Sequence, residues 1–244
     1  MKIRAAYLEE LLYSYDLKEI LEYLPTELRI KIGKFVKSKD AWRSLVAQLL
    51  IRTSIMETFR VRPNEFLLTT NKYGKPFWEQ NPDYYFNVSH SGDWIVCVTA
   101  PCPVGIDIEK IEDIDISISE KIFSKLEVAT LNSLPAEKRN LFFYDLWTLK
   151  ESYIKAIGKG LYHPLDTFSI IKSEGRISLV DNGNEWYFQQ YSIDSQYKMS
   201  VCSQKNDFSK NIDITPGVKV VENYLHRCKL EEITQKSQTK ILRT

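Results

Sequence analysis

The sequence predicts a mixed α/β (α+β) fold of two similar lobes, each a small sheet packed with helices. Three observations carry this. Apolar residues make up 43% of the 244-residue chain and charged residues 27%, the balance of a globular protein with a real core. Segments that alternate every two residues stand between segments of helical period. The order of elements also recurs. Trp42-Arg43-Ser44-Leu45 and its helix lead through Pro63 to Phe66, Tyr84-Tyr85-Phe86 and Val96-Cys97-Val98, as Trp147-Thr148-Leu149-Lys150 leads through Pro164 to Phe168, Trp186-Tyr187-Phe188 and Val201-Cys202. The spacings drift by a few residues, so this is a duplicated α/β unit and not a solenoid of fixed period. The lobes are expected over 1–102 and 103–220, meeting near residues 100 to 104, with the ligand site in the cleft between them. Residues 221–244 fall outside the repeat and read as a polar tail, helical or frayed.

Element by element, Lys2 to Leu8 opens as a strand, and a helical region follows in which Thr26 caps one helix and Ser38 another. Leu45, Leu49, Ile55 and Phe59 recur at helical spacing. Phe66 to Thr69 reads as a strand, Tyr73-Gly74-Lys75-Pro76 as a turn, and Tyr84 to Val88 and Trp94 to Thr99 as strands. In Val104-Gly105-Ile106-Asp107-Ile108-Glu109 the two isoleucines point to one face and the two carboxylates to the other. A longer helix is expected from about Leu141 through Trp147 and Ile154, ending at Gly158 and Gly160. Strands return at Phe168 to Ile171, Ile177 to Val180, Trp186 to Tyr191 and Met199 to Cys202.

Thirty-three Lys and Arg against 32 Asp and Glu give a net charge of +1, so no global field draws the chain to nucleic acid or a membrane. No stretch has the length and apolarity of a membrane span, and Met1-Lys2-Ile3-Arg4 leads into no secretory signal, which places the protein in the cytoplasm. The cysteines, Cys97, Cys102, Cys202 and Cys228, form no C-x-x-C pair and read as reduced, structural thiols. Anion binding must therefore come from a local cluster such as Arg29, Lys31, Lys34, Lys37, Lys39 and Arg43, which also suits a solvated helix face.

Asp107 and Glu109, two apart on a strand, project side by side and can converge on one hard cation. Magnesium suits such a pair, because it takes one or two carboxylates and fills its shell with water and substrate phosphate. A bare D-x-E equally suits the outer face of a strand. Glu151 and Lys155 form an i, i+4 pair, which on an exposed helix is an ordinary surface feature worth about 0.2–0.5 kcal/mol. Asn87-Val88-Ser89-His90-Ser91-Gly92 ends a strand in small polar donors suited to a phosphate or to a plain turn. Neighbouring residues on a strand point to opposite faces, so Ser89 and His90 are no hydrolase dyad. Walker A, dinucleotide-fingerprint and zinc patterns are absent from the sequence.

Taken in order, Tyr73-Gly74-Lys75-Pro76, Asn87-Val88-Ser89-His90-Ser91, Gly105-Ile106-Asp107-Ile108-Glu109 and Trp147-Thr148-Leu149-Lys150-Glu151-Ser152-Tyr153-Ile154-Lys155 resemble the 4'-phosphopantetheinyl transferases of the surfactin-synthetase-activating type. The resemblance covers about residues 1 to 220. It implies a pseudo-twofold monomer that binds coenzyme A and Mg2+ in the cleft between its lobes. Such an enzyme moves phosphopantetheine to a serine of apo carrier proteins of peptide, polyketide or fatty-acid synthases, releasing adenosine 3',5'-bisphosphate. Carried over by motif, Asp107, Glu109 and Glu151 would bind the metal, Glu151 would accept the serine proton, and Lys155 would stabilise the leaving phosphate. Lys31 and Arg43 would meet the 3'-phosphate, with Ser44, Lys75, Ser89, His90 and Lys150 around the rest of the nucleotide and pyrophosphate. Leu28 stands where relatives often carry a base, with Arg29 adjacent.

Two other functions fit parts of the sequence. A metal-dependent nuclease could use Asp107, Glu109 and Glu151, but it needs a basic and aromatic track that the chain lacks. A noncatalytic module could bind acidic partners through Arg29 to Arg43 and would need no metal.

Overall fold

The computed structural model describes residues 1–8, 11–63, 65–173, 175–180 and 185–241. In chain order the first half contains β1 (Lys2–Tyr7), α1 (Leu11–Ser14), α2 (Leu17–Leu21), α3 (Thr26–Gly33), α4 (Ser38–Phe59), β2 (Leu68–Thr70), β3 (Pro76–Trp78), β4 (Tyr85–Ser91) and β5 (Trp94–Ala100). The second half contains β6 (Val104–Lys110), α5 (Ser119–Ile122), α6 (Lys125–Ser133), α7 (Ala136–Ile157), β7 (Ser169–Ser173), β8 (Arg176–Val180), β9 (Tyr187–Tyr191) and β10 (Tyr197–Ser203). The chain then adds β11 (Asp213–Pro216) and α8 (Gly217–Ile241).

The duplication read from the sequence is present in the pairing. One sheet runs β11-β1-β5-β4 and the other β6-β10-β9, so β1, β5 and β4 correspond in place to β6, β10 and β9. All the corresponding pairs are antiparallel. Each half has one long helix, α4 or α7, and one hairpin, β2-β3 or β7-β8.

Alternation along the strands stacks these parts into layers. Ala6, Phe86, Ile95 and Cys97 turn toward α4 and join Leu45, Leu49 and Ile55 in one core. The intervening Ile3, Ala5, Trp94, Val96 and Val98 face the other sheet and meet Ile106, Ile108, Met199 and Val201. Beyond that sheet, Cys202 and Phe188 pack against Leu149, Tyr153 and Ile154 of α7. The order is helix, sheet, sheet, helix. Because β5 is covered on both faces, every one of its residues is buried, which accounts for its unbroken apolar sequence.

Several local expectations change. Neither Thr26 nor Ser38 caps a helix: each is the first helical residue, behind Pro25 and Lys37, with no side-chain cap bond. The second long helix starts at Ala136, earlier than its apolar pattern suggests, because Pro135 precedes a first turn of polar helix formers. It ends at Gly158, which takes the left-handed φ of +70° and donates to the Ile154 carbonyl. The four cysteines are buried thiols that form no disulfide. The chain after 220 begins as core and not as a polar tail. β11 pairs in parallel with β1, and Val221 and Tyr224 of α8 are fully buried against the first lobe. No helix among the described residues is long and apolar enough to cross a membrane.

Candidate active site

The seam between the two sheets is closed by polar side chains. Asn87, Ser89 and Ser91 lie on one face of β4 and reach β6 in sequence: Asn87 Oδ1 accepts from the Ile106 N–H (2.9 Å), Ser89 Oγ donates to Asp107 Oδ1 (2.8 Å), and Ser91 Oγ donates to Glu109 Oε2 (2.8 Å). Ser91 Oγ also accepts from the Lys110 N–H at 3.0 Å. These rungs tie two edge strands that share no sheet.

Gly105, Asp107 and Glu109 face α7, which runs antiparallel to β6. Two residues of strand advance about 6.7 Å and four residues of helix about 6 Å, so i, i+2 on β6 keeps step with i, i+4 on α7. Gly105 makes the approach possible: a Cβ there would lie 2.1 Å from the Ser152 carbonyl oxygen and 2.4 Å from the Ala156 nitrogen. From the same turn of α7 as Ala156, Lys155 reaches forward along β6, its Nζ lying 2.5 Å from Asp107 Oδ1 and 2.9 Å from Ser89 Oγ. Two such steps from Gly105, Trp147 lies beside Glu109 and its indole N–H favours the charged carboxylate.

The electrostatics of this cluster call for a cation. Asp107 is 1% exposed, and its Oδ2 is buried with no hydrogen-bond partner of ordinary geometry among the described residues, although the Ile108 N–H lies close enough to favour its charged form. Burial raises the Asp107 pKa against the pull of Lys155, and burial with the Asp107 charge raises that of Glu109. Glu151 is pushed up to about 7 by burial, then by Asp107, with Lys155 opposing. Lys155 supplies one positive charge against three carboxylates. Among the described residues no three Asp, Glu, His or Cys side chains close into a ligand set, so the acids are within electrostatic reach of one another without forming a cage. The unpartnered Asp107 oxygen and the all-oxygen donors fit a hard divalent ion that completes its shell from a substrate.

On the first-lobe side, Arg43 Nε donates to the Gly92 carbonyl (2.8 Å) and Nη1 pairs with Asp40 (2.5 Å). His90 stands exposed beside them, its imidazole lowered first by partial burial and then by the Arg43 and Lys155 charges. The structure therefore gathers Asp107, Glu109, Glu151, Lys155, Ser89, His90 and Arg43 at one end of the seam. Ser44 is half-buried beside Arg43, and Lys31 is exposed on α3. Arg29, beside Leu28, pairs with Glu22 at 2.9 Å on the surface.

Two lysines expected around the nucleotide and pyrophosphate turn their ammonium groups away from the acids. Lys150 is completely buried inside the second lobe, where Nζ donates to both oxygens of Glu127 (2.7 and 2.6 Å) and to the Phe168 carbonyl (2.8 Å). The reason is helical geometry. Residue 150 is about 100° around α7 from 151, on the stripe that holds Leu146, Tyr153 and Ile154. Lys75 does lie at the seam, but its ammonium is turned to the carbonyls of Val104 (3.1 Å) and Ala156 (3.0 Å) at the end of α7. Burial lowers its pKa to about 8. It borders a cavity of about 430 Å³ lined from both lobes, by Phe77, Tyr84 and Phe86 on one side and by Ile157 and Trp186 on the other.

Glu127 was not singled out from the sequence, and Ser91 and Trp147 stood in the quoted motifs without a role of their own. Ser124-Lys125-Leu126-Glu127 has the capping-box pattern, and the structure forms it, so a signal for Glu127 as a buried structural acid was present.

Residues 103–202 match a family model described as the 4'-phosphopantetheinyl transferase superfamily, and residues 13–102 match one described as 4'-phosphopantetheinyl transferase, N-terminal. The chain is 36% identical over 215 residues to the 4'-phosphopantetheinyl transferase Sfp of Bacillus subtilis (strain 168), covering 87% of this chain and 96% of that one. It is 40% identical over 184 residues to the 4'-phosphopantetheinyl transferase gsp of Aneurinibacillus migulanus, covering 75% and 76%. Among solved structures, the holo-(acyl-carrier-protein) synthase of Bacillus anthracis in complex with CoA (3',5'-ADP) aligns with a TM-score of 0.38 at 19% identity, over 42% of this chain and 94% of that one.

Proposed function

Because the chain belongs to the 4'-phosphopantetheinyl transferase superfamily, in its surfactin-synthetase-activating type, we propose that the polar end of the seam between β4 and β6 is its active site. The protein transfers 4'-phosphopantetheine from coenzyme A to a serine of carrier proteins. The serine oxygen forms a new bond to phosphorus, the bridging P–O bond of the pyrophosphate breaks, and adenosine 3',5'-bisphosphate leaves. The unpartnered oxygen of the buried Asp107 carboxylate, beside Glu109 and Glu151, is the observation that carries this assignment.

Asp107, Glu109 and Glu151 would hold a magnesium ion, whose chemistry here is neutralisation of charge on the donor's pyrophosphate. Phosphoryl transfer asks the protein chiefly to position groups and stabilise charge. Glu151, at the edge of the cluster, accepts the serine proton. Lys155, already held between Asp107 and Ser89, stabilises the leaving phosphate, while Ser89 and His90 orient the pyrophosphate from β4. Arg43, its guanidinium fixed by Gly92 and Asp40, meets the 3'-phosphate with Lys31 and Ser44 nearby. The cavity beside Lys75 has small-molecule size and would take an uncharged portion of the donor.

The exposed Lys31, Lys34 and Lys37 support carriers with acidic surfaces, drawn from peptide, polyketide or fatty-acid synthases. Both sides of the seam come from one chain, which supports a monomer, and a cytoplasmic place with no nucleic-acid or membrane partner completes the reading. The test is to incubate the protein with coenzyme A, Mg2+ and a panel of apo carriers, then weigh the carriers. Gain of one phosphopantetheine with equimolar release of adenosine 3',5'-bisphosphate supports it; coenzyme A that binds without transfer to any carrier contradicts it.

A further inference from the structure

The turn joining β4 to β5 is held from both lobes. From the first lobe, Arg43 Nε donates to the Gly92 carbonyl, and Lys39 Nζ lies 2.5 Å from Asp93 Oδ1. The Leu8 N–H donates to the Asp93 carbonyl at 3.0 Å. From the second lobe, the Tyr197 hydroxyl accepts from the Asp93 N–H (3.1 Å), and Asp194 Oδ2 accepts from the Trp94 indole N–H (3.3 Å). Gly92 has φ +55°, and a Cβ there would lie 2.1 Å from the Tyr197 hydroxyl oxygen, so the turn rests directly on the ring. Tyr197 is 6% exposed and opens β10 opposite Lys110.

This turn connects the two chemistries of the site. Its Ser91 bonds Glu109 in the acidic cluster, and its Gly92 carbonyl anchors Arg43 in the basic one. We propose that Tyr197 is a positioning residue: its hydroxyl fixes the Ser91-Gly92-Asp93 turn against the second lobe and so sets the distance between the cation that binds the donor's phosphate and the carboxylates where phosphorus reacts. The inference rests on the transferase reading above. In this role Tyr197 acts through the turn and not on the reacting atoms.

Tyr197→Phe keeps the ring that fills the space beside Gly92 and removes only the acceptor for the Asp93 N–H. Losing one partly buried hydrogen bond to the turn is expected to weaken coenzyme A binding by about fivefold. Calorimetry with coenzyme A, wild type against Tyr197→Phe, reads this directly. Steady-state kinetics should show KM for coenzyme A rising by the same factor, with kcat within about twofold and KM for the carrier unchanged. A role confined to folding would instead lower the melting temperature and leave the KM of the folded fraction alone. Equal coenzyme A affinity in the two proteins, or a fall in kcat without a change in affinity, overturns the inference alone. A wild type that binds no coenzyme A overturns the transferase reading and this inference with it.

Discussion

Lys155 Nζ lies 2.5 Å from one oxygen of the buried Asp107 carboxylate, while the other oxygen has no hydrogen-bond partner of ordinary geometry among the described residues. One ammonium thus stands inside a cluster of three acids, where a divalent ion would relieve the remaining charge.

Replacing Lys155 by Met removes the one positive partner that Asp107 has in that cluster among the described residues. The expected loss is about 1–3 kcal/mol of stability, below the roughly 3–5 kcal/mol of a fully buried pair because the Lys155 side chain is partly exposed to water. Millimolar Mg2+ should then raise the melting temperature of Lys155→Met more than that of the wild type, as a cation that binds only the folded state must. Equal Mg2+ effects on both would argue against a metal at these acids.

The pair of Lys150 with Glu127 is predicted to be structural. Lys150→Met strands a carboxylate that is 2% exposed and should destabilise by about 3–5 kcal/mol. Lys150→Met combined with Glu127→Gln, which keeps an acceptor for the Ile170 N–H, should recover most of that loss in a urea unfolding midpoint. Coenzyme A affinity of the double variant should match the wild type.

Gly105 is predicted to admit no side chain. Its Cβ would meet two backbone atoms of α7, which cannot swing aside, so Gly105→Ala should force β6 from the helix at a cost of about 3 kcal/mol. Thermal unfolding checks this.

Lys75 predicts a pH dependence of stability. Burial lowers its folded pKa to about 8 from an ordinary 10.5, so the folded state binds its proton less tightly than the unfolded state. The penalty is complete below pH 8 and is relieved as pH rises toward 10.5. The wild type should gain about 2–3 kcal/mol relative to Lys75→Met across that window. Parallel unfolding free energies at pH 8 and pH 10 would contradict it.

Much of this was readable from residue spacing. The alternation in Ile106-Asp107-Ile108-Glu109 separates a core face from a charged face, and that is how β6 sits, with its isoleucines between the sheets and its acids toward α7. The recurring order of elements anticipated the matched strand orders of the two sheets. What spacing along one segment could not supply was contact between segments. Ser91 reaches Glu109 only because two edge strands from different sheets run side by side, and Tyr197 reaches Asp93 across 104 residues. Lys150 shows a different failure. It sits next to Glu151 in a motif, and motif order says nothing about direction, whereas helical period places it on the core stripe. The burial of Val221 and Tyr224 was missed because β11, which brings the chain back to β1, is short and exposed and so has little apolar pattern.

The most direct test of the seam as the active site is a single-turnover transfer from coenzyme A to one apo carrier, followed by intact-protein mass, for wild type with Mg2+, wild type with EDTA, and Glu151→Gln with Mg2+. The account predicts that the wild type adds one phosphopantetheine, that EDTA abolishes the gain, and that Glu151→Gln is slower by about 10²–10⁴ while still binding coenzyme A. A Glu151→Gln protein that transfers at the wild-type rate, or transfer that persists in EDTA, would contradict it.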